Sequence, residues 1–267
     1  MHFLNYPLFA LRASGLPLIL SGGSGPLVIL MTSLSLLLCG PRTGAATVAD
    51  RPEGPRYETR ADHDPNGIGK FYQGREIAHV MGHQAAEWLE RAEREQEERT
   101  TKLVELLTLK PGQQVADIGA GTGYLSRRMA PRVLPGGRVH AVDIQPEMLQ
   151  WMTNAFAKAG ITNVVPVLGA EKDPKLADAS LDLIVMVDVY HEFEYPYEMT
   201  EAMVRALKPG GRLAFVEFRA EDRLVPIKAV HKMSEAQVKK EMAAFPLDWV
   251  ETSRQLPWQH LIFFKRR

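Results

Sequence analysis

The sequence predicts an α/β protein built on a doubly wound parallel sheet, and three observations carry that prediction. First, the run Val115-Ala-Asp-Ile118 breaks into glycines at alternate positions, Gly119, Gly121 and Gly123, and a helical pattern follows over 125–130. Second, short runs rich in β-branched residues alternate with helical patterns from there onward, as buried parallel strands and crossover helices do. Third, the helical pattern ending in Leu207-Lys208 is stopped by Pro209, Gly210 and Gly211 before another apolar run begins.

Taken in order, a second strand is expected over 137–143, ending in Asp143, and a helix over 146–159. Strands follow over 163–168 and 181–188, then a helix over 196–207 and a strand over 211–217. Residues 222–233, with Pro226 and His231, read as a crossover into a last helix over 234–244, which Ser234 and Glu235 start well. The stretch 249–264 alternates apolar and polar residues around Pro257.

Glycines let the chain turn sharply out of a strand, and without a Cβ they let a ligand lie against the main chain. The next helix offers unpaired N–H groups to that ligand. Dinucleotide-binding turns use G-x-G-x-x-G, with pyrophosphate on the helix end. Here the spacing is G-x-G-x-G, and Asp117 stands two residues before the first glycine. A carboxylate there repels pyrophosphate but pairs with an ammonium group. Asp143 lies twenty-two positions beyond Gly121, where α/β folds place a carboxylate on ribose hydroxyls.

These landmarks, with the Leu-Lys-Pro-Gly-Gly turn, resemble the class I S-adenosylmethionine-dependent methyltransferases from about Thr100 to the C-terminus. The resemblance implies a Rossmann-like sheet of seven strands, the last antiparallel and paired in a hairpin over 249–264, with N-terminal helices as a lid. It implies S-adenosylmethionine as cofactor, held by Asp117, Gly119, Gly121, Gly123, Asp143 and Ile144. Relatives often carry Gly-Asp-Ala-Glu after strand three. Here the stretch is Leu168-Gly-Ala-Glu171, so Gly169 holds the usual acidic position and Glu171 is the candidate replacement.

The motif Asp188-Val-Tyr-His-Glu-Phe193 follows the fourth strand of that sheet. Ligands in open α/β sheets bind beyond the carboxyl ends of strands, so these residues are expected beside the transferred methyl group. His191 titrates near neutrality and can take a proton from a hydroxyl or amine; Glu192 can orient it or act as the base. Tyr190 is grouped with them as a catalytic candidate, and Asp188 with the cofactor or the pocket wall.

Charge excludes one class of partner. Lys+Arg and Asp+Glu are equal at 32 each, so no global field attracts nucleic acid. The charge-dense run 87–99 mixes signs at helical spacing and reads as a solvated helix face. The sole cysteine is Cys39, so residues beyond it have no disulfide and no thiolate ligand. His79 and His83 stand four apart, but the glutamate of H-E-x-x-H is absent and Gly82 weakens a helix there, so no metal is expected.

Residues 16–39 carry no charge, and 27–39 form a short apolar core followed by small residues at 43–49. That pattern suits a signal peptide, implying export to a periplasm. Arginines at 42, 51, 56 and 60 instead favour an uncleaved membrane anchor with the body in the cytoplasm. The expected organisation is a signal peptide or anchor over 1–49, a flexible linker over 50–70, lid helices over 71–109, and a methyltransferase domain over 110–267. The function expected is methyl transfer to a small molecule. The alternatives are a nicotinamide-dependent oxidoreductase and a relative that binds cofactor without catalysis. Acceptor and oligomeric state are not legible.

Overall fold

A computed structural model describes residues 56–267. The apolar segment and its expected cleavage zone, 1–49, lie outside the described residues. Among the described residues no helix is long and apolar enough to cross a membrane.

Seven strands form the main sheet: β4 (Gln114–Ile118), β5 (Arg138–Asp143), β6 (Val164–Leu168), β7 (Leu181–Val187), β8 (Leu207–Phe218), β9 (Leu247–Ser253) and β10 (Gln259–Arg266). Their spatial order is β6-β5-β4-β7-β8-β10-β9. The first five of these pair in parallel, and β10 runs antiparallel to both β8 and β9. The last strand is thus antiparallel, as expected. Strand order reverses between β4 and β7, and α/β sheets open a ligand crevice at the carboxyl ends of such a pair.

Period-two alternation explains why this sheet is covered on both faces. Along β7, Leu183 and Val185 join one core cluster with Met129, Val133, Met152 and Phe156. Ile184 and Met186 join the other, with Met199, Met203, Phe215, Val238 and Met242. The first face is packed by α4 (Ser126–Val133) and α5 (Pro146–Ala159), the second by α6 (Pro196–Ala206) and α7 (Glu235–Met242). Helix ends follow local chemistry. Pro146 opens α5 and Gly160, at φ 64°, closes it. The Ser234 hydroxyl accepts the Gln237 N–H at the start of α7.

The N-terminal part differs from the sequence reading in two ways. Residues expected as linker and first lid helix instead form a three-stranded antiparallel sheet of β1 (Tyr57–Thr59), β2 (Gly67–Tyr72) and β3 (Arg75–Ala78). Its glycines make room for a carboxylate rather than flexibility. A Cβ on Gly67 would overlap the Glu76 side chain, whose oxygens accept the N–H groups of Gly69 and Asp64. The helix expected over 85–109 is broken into α1 (Ala86–Leu89), α2 (Arg94–Glu98) and α3 (Thr100–Leu106), with Arg99 left-handed at φ 51° between the last two. The charged run is not simply a solvated face. Arg94 and Glu98 are buried and paired at 2.9 Å.

The third glycine of the turn belongs to the core. At φ 76°, a Cβ on Gly123 would lie 2.5 Å from Phe156 Cζ and 3.1 Å from Met152 Cβ. Gly123→Ala therefore combines positive-φ strain with overpacking, and should lower unfolding free energy by about 1–3 kcal/mol. The urea midpoint should fall with an unchanged slope. A midpoint equal to wild type would show that α5 yields freely at this contact.

Candidate functional site

Each of the four central parallel strands carries a carboxylate at its carboxyl end: Asp117 on β4, Asp143 on β5, Asp188 just after β7, and Glu217 on β8. Asp117, Asp143 and Glu217 are 2%, 6% and 0% exposed. Burying a carboxylate is costly unless hydrogen bonds compensate, and each of the four has found different compensation.

Asp143 is held by two main-chain donors. Its Oδ2 accepts the Gly121 N–H and its Oδ1 the Gln145 N–H, both at 2.9 Å. The ribose-carboxylate candidate thus lies against the glycine turn. Gly119, Gly121 and Gly123 all have positive φ, as the turn requires. Ile144 beside Asp143 stays 41% exposed, an apolar shelf at the strand end. Gly169 donates its N–H to the Asp143 carbonyl, and its missing side chain leaves room against Val142. Glu171, the candidate replacement for the missing acid, is exposed on the turn after β6.

Asp117 points inward to α4, where its Oδ2 accepts the Ser126 hydroxyl at 2.6 Å. Burial pushes its carboxyl up to about 6, against the pull of Ser126 and Arg94. Asp188 adopts φ 51° and accepts Gln259 Nε2 on Oδ2, while its buried Oδ1 has no hydrogen-bond partner. Burial, with the charges of Glu98 and Glu217, raises it well above the usual range.

The motif after β7 forms a 3₁₀ turn, Tyr190–Glu192. Its three catalytic candidates separate. The Tyr190 hydroxyl is donated to Glu241 at 2.7 Å, and the ring is fully buried between Phe193 and Phe215. It is a structural residue of the second core and offers no group to an acceptor. His191 and Glu192 do come together. His191 Nδ1 lies 2.6 Å from Glu217 Oε2, and the other oxygen of Glu217 accepts the Tyr190 N–H at 2.9 Å. Burial, then Arg75, push His191 down to about 3, so the imidazole is neutral; burial also pushes Glu217 up to about 8, and the two groups share a proton between Nδ1 and Oε2. His191 Nε2 lies 3.1 Å from His231 Nδ1, within hydrogen-bond distance. Glu192 Oε2 accepts the Met81 N–H, and its Oε1 lies 3.9 Å from His191 Nε2.

Residues 81–98 cover this end of the sheet through specific bonds. Gln145 accepts the His83 N–H and donates to the Met81 carbonyl. Glu90 accepts from Thr122 on the glycine turn and pairs with Arg127 of α4. The space where a Gly121 side chain would stand is occupied by Leu89, whose Cδ1 would be 2.5 Å from that Cβ. His79 and His83 do not share a helix: His79 follows β3, and His83 begins a 3₁₀ turn.

Sequence reasoning passed over Glu217, His231, Arg94 and Glu98. Glu217 had a visible signal, since it ends an apolar strand just as Asp117, Asp143 and Asp188 do. His231 had none, because its partner His191 is forty residues away.

Comparison with known proteins agrees with this geometry. The family described as "Methyltransferase domain" matches residues 109–261. The chain is 32% identical over 115 residues to protein-L-isoaspartate O-methyltransferase of Aeropyrum pernix, covering 42% of this chain and 41% of that one. It is 34% identical over 117 residues to the ubiquinone/menaquinone biosynthesis C-methyltransferase UbiE of Ectopseudomonas mendocina, covering 43% and 45%. The chain thus spans under half the length of these relatives. In fold it is similar to a SAM-dependent methyltransferase from Aquifex aeolicus, with a TM-score of 0.67, 23% identity, and coverage of 70% of this chain and 100% of the other.

The raised carboxyl of Asp117 has a consequence for stability. An acid whose folded pKa, about 6, exceeds its unfolded value binds more protons folded than unfolded. Its contribution is fully present below the unfolded pKa and is lost as pH rises through about 6, a total on the order of 2–3 kcal/mol. Asp117→Asn should therefore be the more stable protein at pH 7.5, and its advantage should vanish toward pH 4. Urea unfolding of both proteins across that range checks this, and an advantage independent of pH would be the contrary result.

Proposed function

The chain belongs to the methyltransferase-domain family, and we propose that it transfers a methyl group from S-adenosylmethionine to a small molecule carrying an ionisable proton. One observation carries this reading: the buried carboxylates at the strand ends surround the glycine turn at the point where strand order reverses. That field favours a ligand with positive charge and disfavours a pyrophosphate.

The residues present fit this cofactor. The turn at Gly119 and Gly121 has no side chains of its own; Val189 and Leu89 fill that space in the free protein, and a cofactor takes their place against the main chain. Asp143 supplies two oxygens at the strand end for a diol, and Ile144 an apolar surface beside it. Asp117 and Asp188 supply negative charge further along the sheet, and Asp188 Oδ1 is a buried acceptor awaiting a donor. When bound, S-adenosylmethionine supplies an electrophilic methyl group on a sulfonium sulfur. Aligning that methyl group with a nucleophile in a dry site is the main catalytic task.

The chain's own residues serve that task in two ways. Residues 81–98 act as a lid, pinned through Gln145, Glu90 and Glu192, and exclude water from the sheet end. A lid this close to the glycine turn favours a small acceptor. His191 and Glu192 act on the acceptor side, with Glu217 holding the His191 ring so that Nε2 presents its lone pair.

Two substitutions separate these roles. Asp143→Ala should weaken S-adenosylmethionine binding by about 1.5–3 kcal/mol in a calorimetric titration, the range for hydrogen bonds to a charged group. NAD should bind neither protein. Unchanged affinity in folded Asp143→Ala would remove that residue from the cofactor site. His191→Ala should instead leave cofactor affinity intact and lower turnover by about 10²-fold or more, measured as methyl transfer from labelled S-adenosylmethionine into a metabolite extract. Full turnover by His191→Ala would place the acceptor chemistry elsewhere.

A further inference from the structure

Three side chains beyond the end of β7 converge on one point. His191 Nε2 is 3.1 Å from His231 Nδ1, and Glu192 Oε1 is 3.9 Å from the first and 3.8 Å from the second. These separations define a triangle whose equidistant in-plane point lies about 2.1 Å from every corner, a zinc–nitrogen and zinc–oxygen bond length.

We propose that His191, Glu192 and His231 bind one divalent cation of the first transition row, zinc being the best match to the distances. The ligand set fits such an ion. Two imidazoles and one carboxylate suit zinc and its neighbours, whereas magnesium and calcium select oxygen ligands.

The surroundings are those of a ligating histidine. Glu217 Oε2 lies 2.6 Å from His191 Nδ1, and its other oxygen is fixed by the Tyr190 N–H. Ligating histidines characteristically donate their other N–H to a carboxylate in this way, which fixes the tautomer and aims the lone pair. Glu192 is positioned as well, by the Met81 N–H on its other oxygen. Charge points the same way. Glu192, Glu217 and Asp188 gather three carboxyl groups at one corner of the fold, each with its pKa raised chiefly by burial. The guanidinium closest to it, that of Arg75, is engaged by Glu241 and the His191 carbonyl.

The site changes the meaning of His191. With the cation in place, Nε2 is a ligand, and the imidazole acts on the acceptor through the metal rather than as the base itself. Lifting the ion out of that plane, with the Glu192 carboxylate drawn inward by roughly half an ångström, makes it tetrahedral with one open position, as in catalytic sites. An acceptor oxygen is the group suited to fill it. This assignment of acceptor class rests on the methyl-transfer reading; the cation site does not.

The test uses cobalt as the optical probe and zinc as competitor, added to full-length protein after dialysis against a chelator. Expected is one equivalent of cobalt bound with tetrahedral visible absorption, displaced by zinc. Glu192→Gln and His231→Asn should abolish that signal. Glu217→Gln touches no metal and should weaken binding roughly 10–100-fold. His83→Ala should leave it unchanged. Circular dichroism and S-adenosylmethionine titration on each variant verify the fold, and His231→Asn, on an outer loop, decides if the more buried Glu192→Gln does not fold. No cobalt band in the wild type, or equal affinity in His231→Asn, overturns the proposal. Failure of the wild type to bind S-adenosylmethionine would instead overturn the methyl-transfer reading and leave the cobalt result standing.

Discussion

Carboxylates buried side by side at the ends of β4, β5, β7 and β8 are the constraint on which the rest of this structure depends. Parallel strands in register bring their last residues together. An acid at the end of each therefore concentrates negative charge in a low-dielectric crevice, where like charges repel strongly. Much of the surrounding architecture is compensation: main-chain N–H groups on Asp143 and Glu217, Ser126 on Asp117, Gln259 on Asp188, and the neutral His191 on Glu217. The compensation is incomplete at Asp188 Oδ1. A fold that tolerates this is suited to ligands bringing positive charge, a sulfonium on one side and a metal ion on the other.

The N-terminal residues make sense as part of that compensation. Arg94 enters the crevice region from α2 with Glu98 as its own partner, so it moderates Asp117 without adding a net charge. Glu90 ties the same segment to Thr122 and Arg127 at the glycine turn. A cover held by ion pairs and side-chain hydrogen bonds, with a single leucine over Gly121, can separate at lower cost than one held by a large apolar interface. This is the physical property a lid requires, because a cofactor has to pass beneath it.

The main sheet was legible because its signals are local. Period-two runs, glycines at a turn, and proline and glycine at helix ends act within a few residues, and the strands appear near where those signals place them, although β8 begins at Leu207 and takes in the expected Pro209-Gly210-Gly211 stop. Asp143 beside Gly121 was legible through spacing alone. What stayed hidden depends on long-range pairing. Glu217 reaches His191 only because β7 and β8 are neighbours, and His231 only because the crossover after β8 folds back over the same edge. Two readings failed for a different reason. Gly67 and Gly69 fall in the stretch that reads as a flexible linker, although Gly67 is small to admit Glu76. The i,i+4 pair Arg94–Glu98 looks identical in sequence whether solvated or buried, so nothing local distinguished a surface helix from a cover over a site. Tyr190 was read with its motif, but a 3₁₀ turn points successive side chains in different directions, and its ring turns into the core.

The same carboxylates that make the crevice selective also destabilise it. Asp117 sits within the core layer of β4, between Ala116 and Ile118, where an amide or apolar side chain would be easier to bury. Its raised pKa measures that difficulty directly, since burial is the largest cause of the shift. Retaining a carboxylate there lowers stability at neutral pH, and packing alone gives no reason for it. A positively charged ligand does, because a carboxylate already desolvated and held by Ser126 needs little further desolvation or reorientation on binding. The stability forgone in the free protein then reappears as affinity for the charged ligand. By the same logic Glu192 and Glu217, desolvated together beside two neutral imidazoles, are poised for a cation rather than for each other.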